Sequence, residues 1–108
     1  MKIHNLNDMK RGWFVGEFLP TAFATNSCEA ACKICKKGDY EEKHMHKIAT
    51  ELTLIVKGRV LMNGVEHKEG DIILLEPGEA TDFKALTDVT NFVVKIPSVT
   101  DDKYIVKD

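Results

Sequence analysis

A chain of 108 residues lies below the size at which domains usually divide, yet is long enough to bury a core of its own. Its 17 acidic and 15 basic residues leave a formal charge of −2, which gives no electrostatic pull towards nucleic acid or an anionic membrane. No stretch has the length or apolarity of a membrane span, and residues 1–8 lack the apolar run of a secretory signal, so one cytoplasmic domain over residues 1–108 is expected, with neither nucleic acid nor membrane as partner.

Residues 1–11 read as peripheral. From Gly12 onward short β-rich runs alternate with turn residues, and apolar residues nowhere recur at helical spacing over several turns. The runs predict strands over 13–18, 29–36, 43–46, 51–57, 59–62, 65–68, 71–75, 81–86 and 91–96, with the charged stretch 101–108 again peripheral. Asn63-Gly64 is the preferred pair for a two-residue hairpin, because both central positions need positive φ. Gly38-Asp39, Gly70-Asp71 and Pro77-Gly78 mark further reversals. Many short strands with such turns indicate an all-β sandwich or barrel.

Cys28, Cys32 and Cys35 have the C-x3-C-x2-C spacing of some iron–sulfur ligands. On a strand, however, Cys32 and Cys35 point to opposite faces, whereas cluster ligands must converge. Three thiols crowded into eight residues also make no disulfide framework and suit a reducing compartment. His44 and His46 are one residue apart, so on a strand both imidazoles leave the same face. Glu51 follows after a gap long enough for a reversal that would set its carboxylate beside them on the next strand. Two histidines and a carboxylate form a ligand set suited to Fe, Mn, Ni or Zn.

The run Gly38, five residues, His44, one, His46, four, Glu51, six, Gly58 resembles the first motif of the cupin family, and Gly70-Asp71 followed by Glu76-Pro77-Gly78 resembles the second. Together they cover residues 38–85. The resemblance implies a cupin jelly-roll β-barrel with a site in its mouth, His44, His46 and Glu51 as metal ligands, and a homodimer. It also implies a third histidine three residues beyond Gly78, where this chain has Thr81. His67, after the Asn63-Gly64 turn, is expected to be exposed and to play no part.

The expected activity is that of a small cupin that holds a divalent transition metal through His44, His46 and Glu51 and acts on a small oxygen-bearing ligand, as a metal-dependent oxygenase or isomerase. With Thr81 at the third-histidine position a metal-free site is the alternative, in which His44 and His46 serve as catalytic acid and base. His44-Met45-His46-Lys47 and Asp102-Lys103-Tyr104-Ile105 are similar to small cupins that isomerise nucleotide-linked keto-sugars, although only Arg11 and Arg59 offer a planar grip on a diphosphate. A non-catalytic small-molecule binding module is the third reading. Thr81, Phe83, Phe92 and Tyr40 are the expected pocket residues, the two phenylalanines because each alternates with polar neighbours and is expected to face inward. Trp13 and Phe14 are assigned to core or dimer contact.

Overall fold

The computed structural model describes residues 1–107. After a 3-10 turn at Leu6–Asp8 the described residues form ten strands: β1 Trp13–Val15, β2 Glu29–Cys35, β3 Tyr40–Met45, β4 Thr50–Lys57, β5 Arg59–Met62, β6 Val65–Lys68, β7 Ile72–Leu75, β8 Thr81–Ala85, β9 Val89–Ile96 and β10 Tyr104–Ile105. They build two five-stranded antiparallel sheets, β1-β2-β9-β4-β7 and β10-β3-β8-β5-β6. This is the all-β sandwich that the turn spacing implied, in the jelly-roll form that the motif resemblance implied. No helix among the described residues is long and apolar enough to cross a membrane.

The turn chemistry sets the register. Asn63 and Gly64 have φ of 50° and 76°, and Met62 pairs with Val65, as a two-residue hairpin of this type requires. A second turn of the same kind lies at Arg11-Gly12, with φ of 55° and 83°, and closes through the Trp13 N–H, which donates to the Lys10 carbonyl. Only glycine fits its second position, because a Cβ on Gly12 would stand 2.0 Å from the Cys32 carbonyl oxygen.

The apolar core gathers at one end of the sandwich around Ile55, Val60, Met62, Phe83, Ala85 and Val89. Towards the other end the interior becomes polar. Across the inner face of the first sheet, Glu29, Lys95 and Glu51 stand in one cross-strand row and Lys33, Asn91 and Ile55 in another, with Ala31, Val93 and Thr53 between them. The opposite face of the same strands carries Cys32, Phe92, Leu54 and Ile72 in one row and Ala30, Val94, Leu52 and Leu74 in the next. The inner face of the first sheet is thus mixed, with Glu29, Lys95, Glu51, Lys33 and Asn91 set among the buried Ala31, Ile55 and Val93, while the outer face is apolar.

One expectation needs correcting. The C-terminal segment is not peripheral, since Tyr104 and Ile105 pair with Met45 and His44, while Asp102 is 5% exposed; residues 1–10 do lie at the surface, none of them buried. Lys10 and Arg11 in turn line the interior cavity. Short charged segments carry no alternation from which edge pairing can be read, so β10 had no sequence signal.

Candidate functional site

A cavity of about 510 Å³ opens between the two sheets and is lined by His44, His46, Glu51, Thr81 and Phe83, among others. Glu41 pairs with Phe83 and His44 with Thr81, so three steps along β3 match two along β8. That bulge shifts the phase of β3. The two imidazoles share one face as the alternation predicts, with ring centroids 5.5 Å apart and planes at 79°.

Each imidazole is anchored by its Nδ1. In His44 this nitrogen donates to the Glu42 carbonyl at 2.9 Å, and in His46 to the Asp102 carbonyl at 2.7 Å. The Nε2 of His46 then meets the Glu51 carboxylate at 3.3 Å. A neutral imidazole has one N–H, and two acceptors facing the two nitrogens call for two, so the geometry selects the imidazolium. The hydrogen bond to Glu51 is the main reason that the pKa of His46 is raised above its ordinary 6.5, against the opposing effect of burial. Burial by itself would raise Glu51, but the hydrogen bond and charge of His46, with help from Lys95 and Lys33, bring it below its ordinary 4.5.

The connection between His46 and Glu51 is held by a residue that sequence reasoning missed. The Asp102 carboxylate accepts hydrogen bonds from the backbone N–H groups of Lys47, Ile48 and Ala49 at 2.9–3.2 Å. One residue therefore fixes the loop between the paired side chains with its carboxylate and orients the His46 ring with its carbonyl.

Lys95 stands in register with both Glu29 and Glu51 and pairs with Glu29 at 3.3 Å. The second Glu29 oxygen accepts from the Ser98 hydroxyl at 2.8 Å. Lys33 pairs with Glu41 at 3.3 Å, and both lysines lie against the Trp13 ring, 5.2 and 4.9 Å from its centroid. Trp13 therefore lines the cavity instead of filling the core. These polar residues were legible in principle, because placing Glu51 inside also places its in-register partner Lys95 inside.

Of the expected pocket residues, Thr81 and Phe83 line the cavity. Thr81 is buried, and its hydroxyl donates to the Asp82 carbonyl at 2.7 Å. Phe92 is placed on the outer face, where it packs against Phe14 with ring centroids 6.2 Å apart. The inward assignment failed because it gave Phe92 the buried phase of β9, whereas Asn91 and Val93 on either side of it take that phase, at 2% and 5% exposed. Tyr40 is 60% exposed and borders a separate, shallower groove instead of the cavity. Asp82, next to Thr81 on β8, also borders the cavity, and its carboxylate accepts from the Asn63 N–H at 2.7 Å. His67 is half-buried on β6, 4.0 Å from Asp71 and away from the cavity.

The donor set does not assemble the expected metal centre. Among the described residues no three His, Cys, Asp or Glu side chains converge so that they could hold a metal ion. His46 and Glu51 meet each other, His44 does not complete a trio, and Thr81 adds only a hydroxyl already engaged with the backbone.

No protein-family model and no curated protein matches the chain. Solved structures do. An RmlC-like cupin from Shewanella frigidimarina superposes with a TM-score of 0.65 at 20% identity, over 71% of this chain and 72% of that one. The DMSP lyase DddQ from Ruegeria pomeroyi gives 0.72 at 21% identity over 87% of this chain, which spans about half (49%) of the lyase. The nucleoside dehydratase Pac13 from Streptomyces gives 0.67 at 12% identity, over 77% and 71% of the two chains.

Proposed function

On the premise that the chain has the double-stranded β-helix fold of the cupins, we propose that it transfers protons on a small hydroxylated carbonyl compound without a metal ion, as an isomerase or a lyase. The observation that carries this reading is the pair of acceptors facing both nitrogens of His46. In this reading a substrate oxygen bound beside the Glu51 carboxylate takes the place of that carboxylate as acceptor of the His46 Nε2–H and is protonated by it, the other N–H staying on the Asp102 carbonyl. His44, whose Nδ1–H is committed to the Glu42 carbonyl, keeps Nε2 as the base that removes a proton from the neighbouring carbon. The apolar Phe83 and Val93 walls strengthen both interactions by excluding water. Two similar folds belong to proteins described as a lyase and a dehydratase, which is support for elimination chemistry as one outcome of such a proton transfer.

The test is solvent-isotope exchange. Purified protein in D2O with a chelator is incubated with a panel of hydroxy-aldehydes and hydroxy-ketones and followed by proton NMR. Exchange or turnover that survives chelation and is lost in both His44→Asn and His46→Asn is the expected result. Activity that needs an added transition metal, or no exchange with any member of the panel, would overturn the reading.

A further inference from the structure

Asn91 is 2% exposed on the inner face of β9 and borders the cavity, and its Oδ1 has no hydrogen-bond partner among the described residues. Its setting is apolar. Val89 and Val93, on the same face of β9, are both buried, and so is Ile55 beside it on β4. On its other side stands Lys33 of β2, whose ammonium is committed elsewhere, to the Glu41 carboxylate at 3.3 Å and to the Trp13 ring, 5.2 Å from its centroid. An amide oxygen taken out of water without a partner costs stability, and an apolar side chain of the same shape would remove that cost. The amide is accounted for when a group from outside the chain completes it.

Its place along the cavity says what that group belongs to. Glu51, whose carboxylate meets the His46 Nε2, is in register with Lys95, which lies four residues from Asn91 along β9 and about 13 Å away at the usual rise of a strand. The row between them holds Trp13, Ala31, Val93 and Thr53. Lys33 and Lys95, which border that row, are each neutralised by a carboxylate, Glu41 and Glu29. A ligand that presents one oxygen to His46 and another to Asn91 spans about 7 Å between the two, after a hydrogen bond of about 3 Å at each end, which is the length of roughly four or five carbons. A cavity of about 510 Å³ accommodates such a molecule.

We infer that Asn91 determines specificity in this cavity by hydrogen-bonding an uncharged hydroxyl at the far end of the ligand, at that distance from the oxygen that meets His46. This rests on the proton-transfer reading and narrows its substrate to a hydroxylated carbonyl compound long enough to reach both groups. A hydroxyl donates and accepts, so it completes the amide whichever way its oxygen and nitrogen are placed. A carboxylate in the same place would only accept, and Val89, Val93 and Ile55 would strip it of water.

Trp13 is the sole tryptophan of the chain and lines the cavity, so its fluorescence reports occupancy. The probes are unreactive 1,2-diols of four to eight carbons, each compared with the same diol carrying a further hydroxyl on its last carbon, so that binding is read without turnover. The gain from the last hydroxyl is expected to pass through a maximum of at least fivefold within the series and to be small at both ends of it. Asn91→Leu is expected to abolish or reverse that gain while melting at or above the wild-type temperature, because leucine replaces an unserved amide by an apolar side chain of the same branching. A last hydroxyl that brings no gain at any length, a gain that survives Asn91→Leu, or a melting temperature lowered in that variant by more than about 5 °C, the mark of a structural amide, would overturn the inference. The two readings fail separately. A length-dependent gain in a protein that exchanges no proton leaves the Asn91 subsite standing and removes the chemistry, whereas exchange on hydroxy-ketones without any such gain removes the subsite and leaves the chemistry.

Discussion

Replacing Asp102 by alanine removes a carboxylate that serves three backbone N–H groups at once. Their fates differ. Ala49 is 3% exposed, so its N–H is left without a partner and costs about 1–3 kcal/mol. Lys47 and Ile48 are exposed, water replaces the carboxylate there, and each loses only about 0.5 kcal/mol. The total of about 2–4 kcal/mol corresponds to a fall of roughly 1.3–2.7 M in the urea midpoint, taking about 1.5 kcal/mol/M as the slope for a chain of this size. Asp102→Asn keeps one acceptor oxygen and should fall between the two. The loop that Asp102 pins separates His46 from Glu51, so the same variant should broaden or shift the His46 ring nitrogen signals in NMR. A midpoint within 0.5 M of wild type, with the His46 signals unmoved, would refute the assignment of Asp102 as a positioning residue.

The His46–Glu51 pair sets a pH window for stability. His46 is raised above its ordinary 6.5, so its contribution is complete below that value and fades as the pH climbs through the folded pKa; Glu51 is lowered below 4.5, so its contribution is complete above that value and fades in acid. Thermal melts across pH 3–9 should show the wild-type advantage over Glu51→Gln greatest between 4.5 and 6.5 and narrowing on both sides. Gly12→Ala forces a Cβ to within 2.0 Å of the Cys32 carbonyl at φ +83°, which should cost more than about 2 kcal/mol in chemical denaturation and shift the emission of the adjoining Trp13. Thr81 pairs directly with His44, so Thr81→His should add a third imidazole to the cavity and tighten cobalt binding at least tenfold, read from its visible absorption.

The parts of the fold written in turn chemistry were legible. Asn63-Gly64 and the predicted 59–62 and 65–68 strands coincide with the hairpin, and the His44–His46 alternation with Glu51 one reversal later led to the paired side chains. The parts that failed share a cause. Strand alternation gives two faces but does not say which is inside; that choice is normally made by assuming that the apolar face is buried. In β4 and β9 this assumption turns Leu52, Leu54, Phe92 and Val94 inward and expels Thr53, Asn91 and Lys95, whereas the structure places the latter set against the cavity. The assignment of Glu51 as a metal ligand already contradicted the assumption, because Glu51 cannot face the site unless Leu52 and Leu54 face away from it. A polar residue assigned to an interior site should therefore fix the phase of its strand, and the register then carries that phase to each neighbour. Applied from Glu51, this rule places Lys95 and Glu29 inside from two strand pairings alone and leaves an apolar outer face that needs its own explanation.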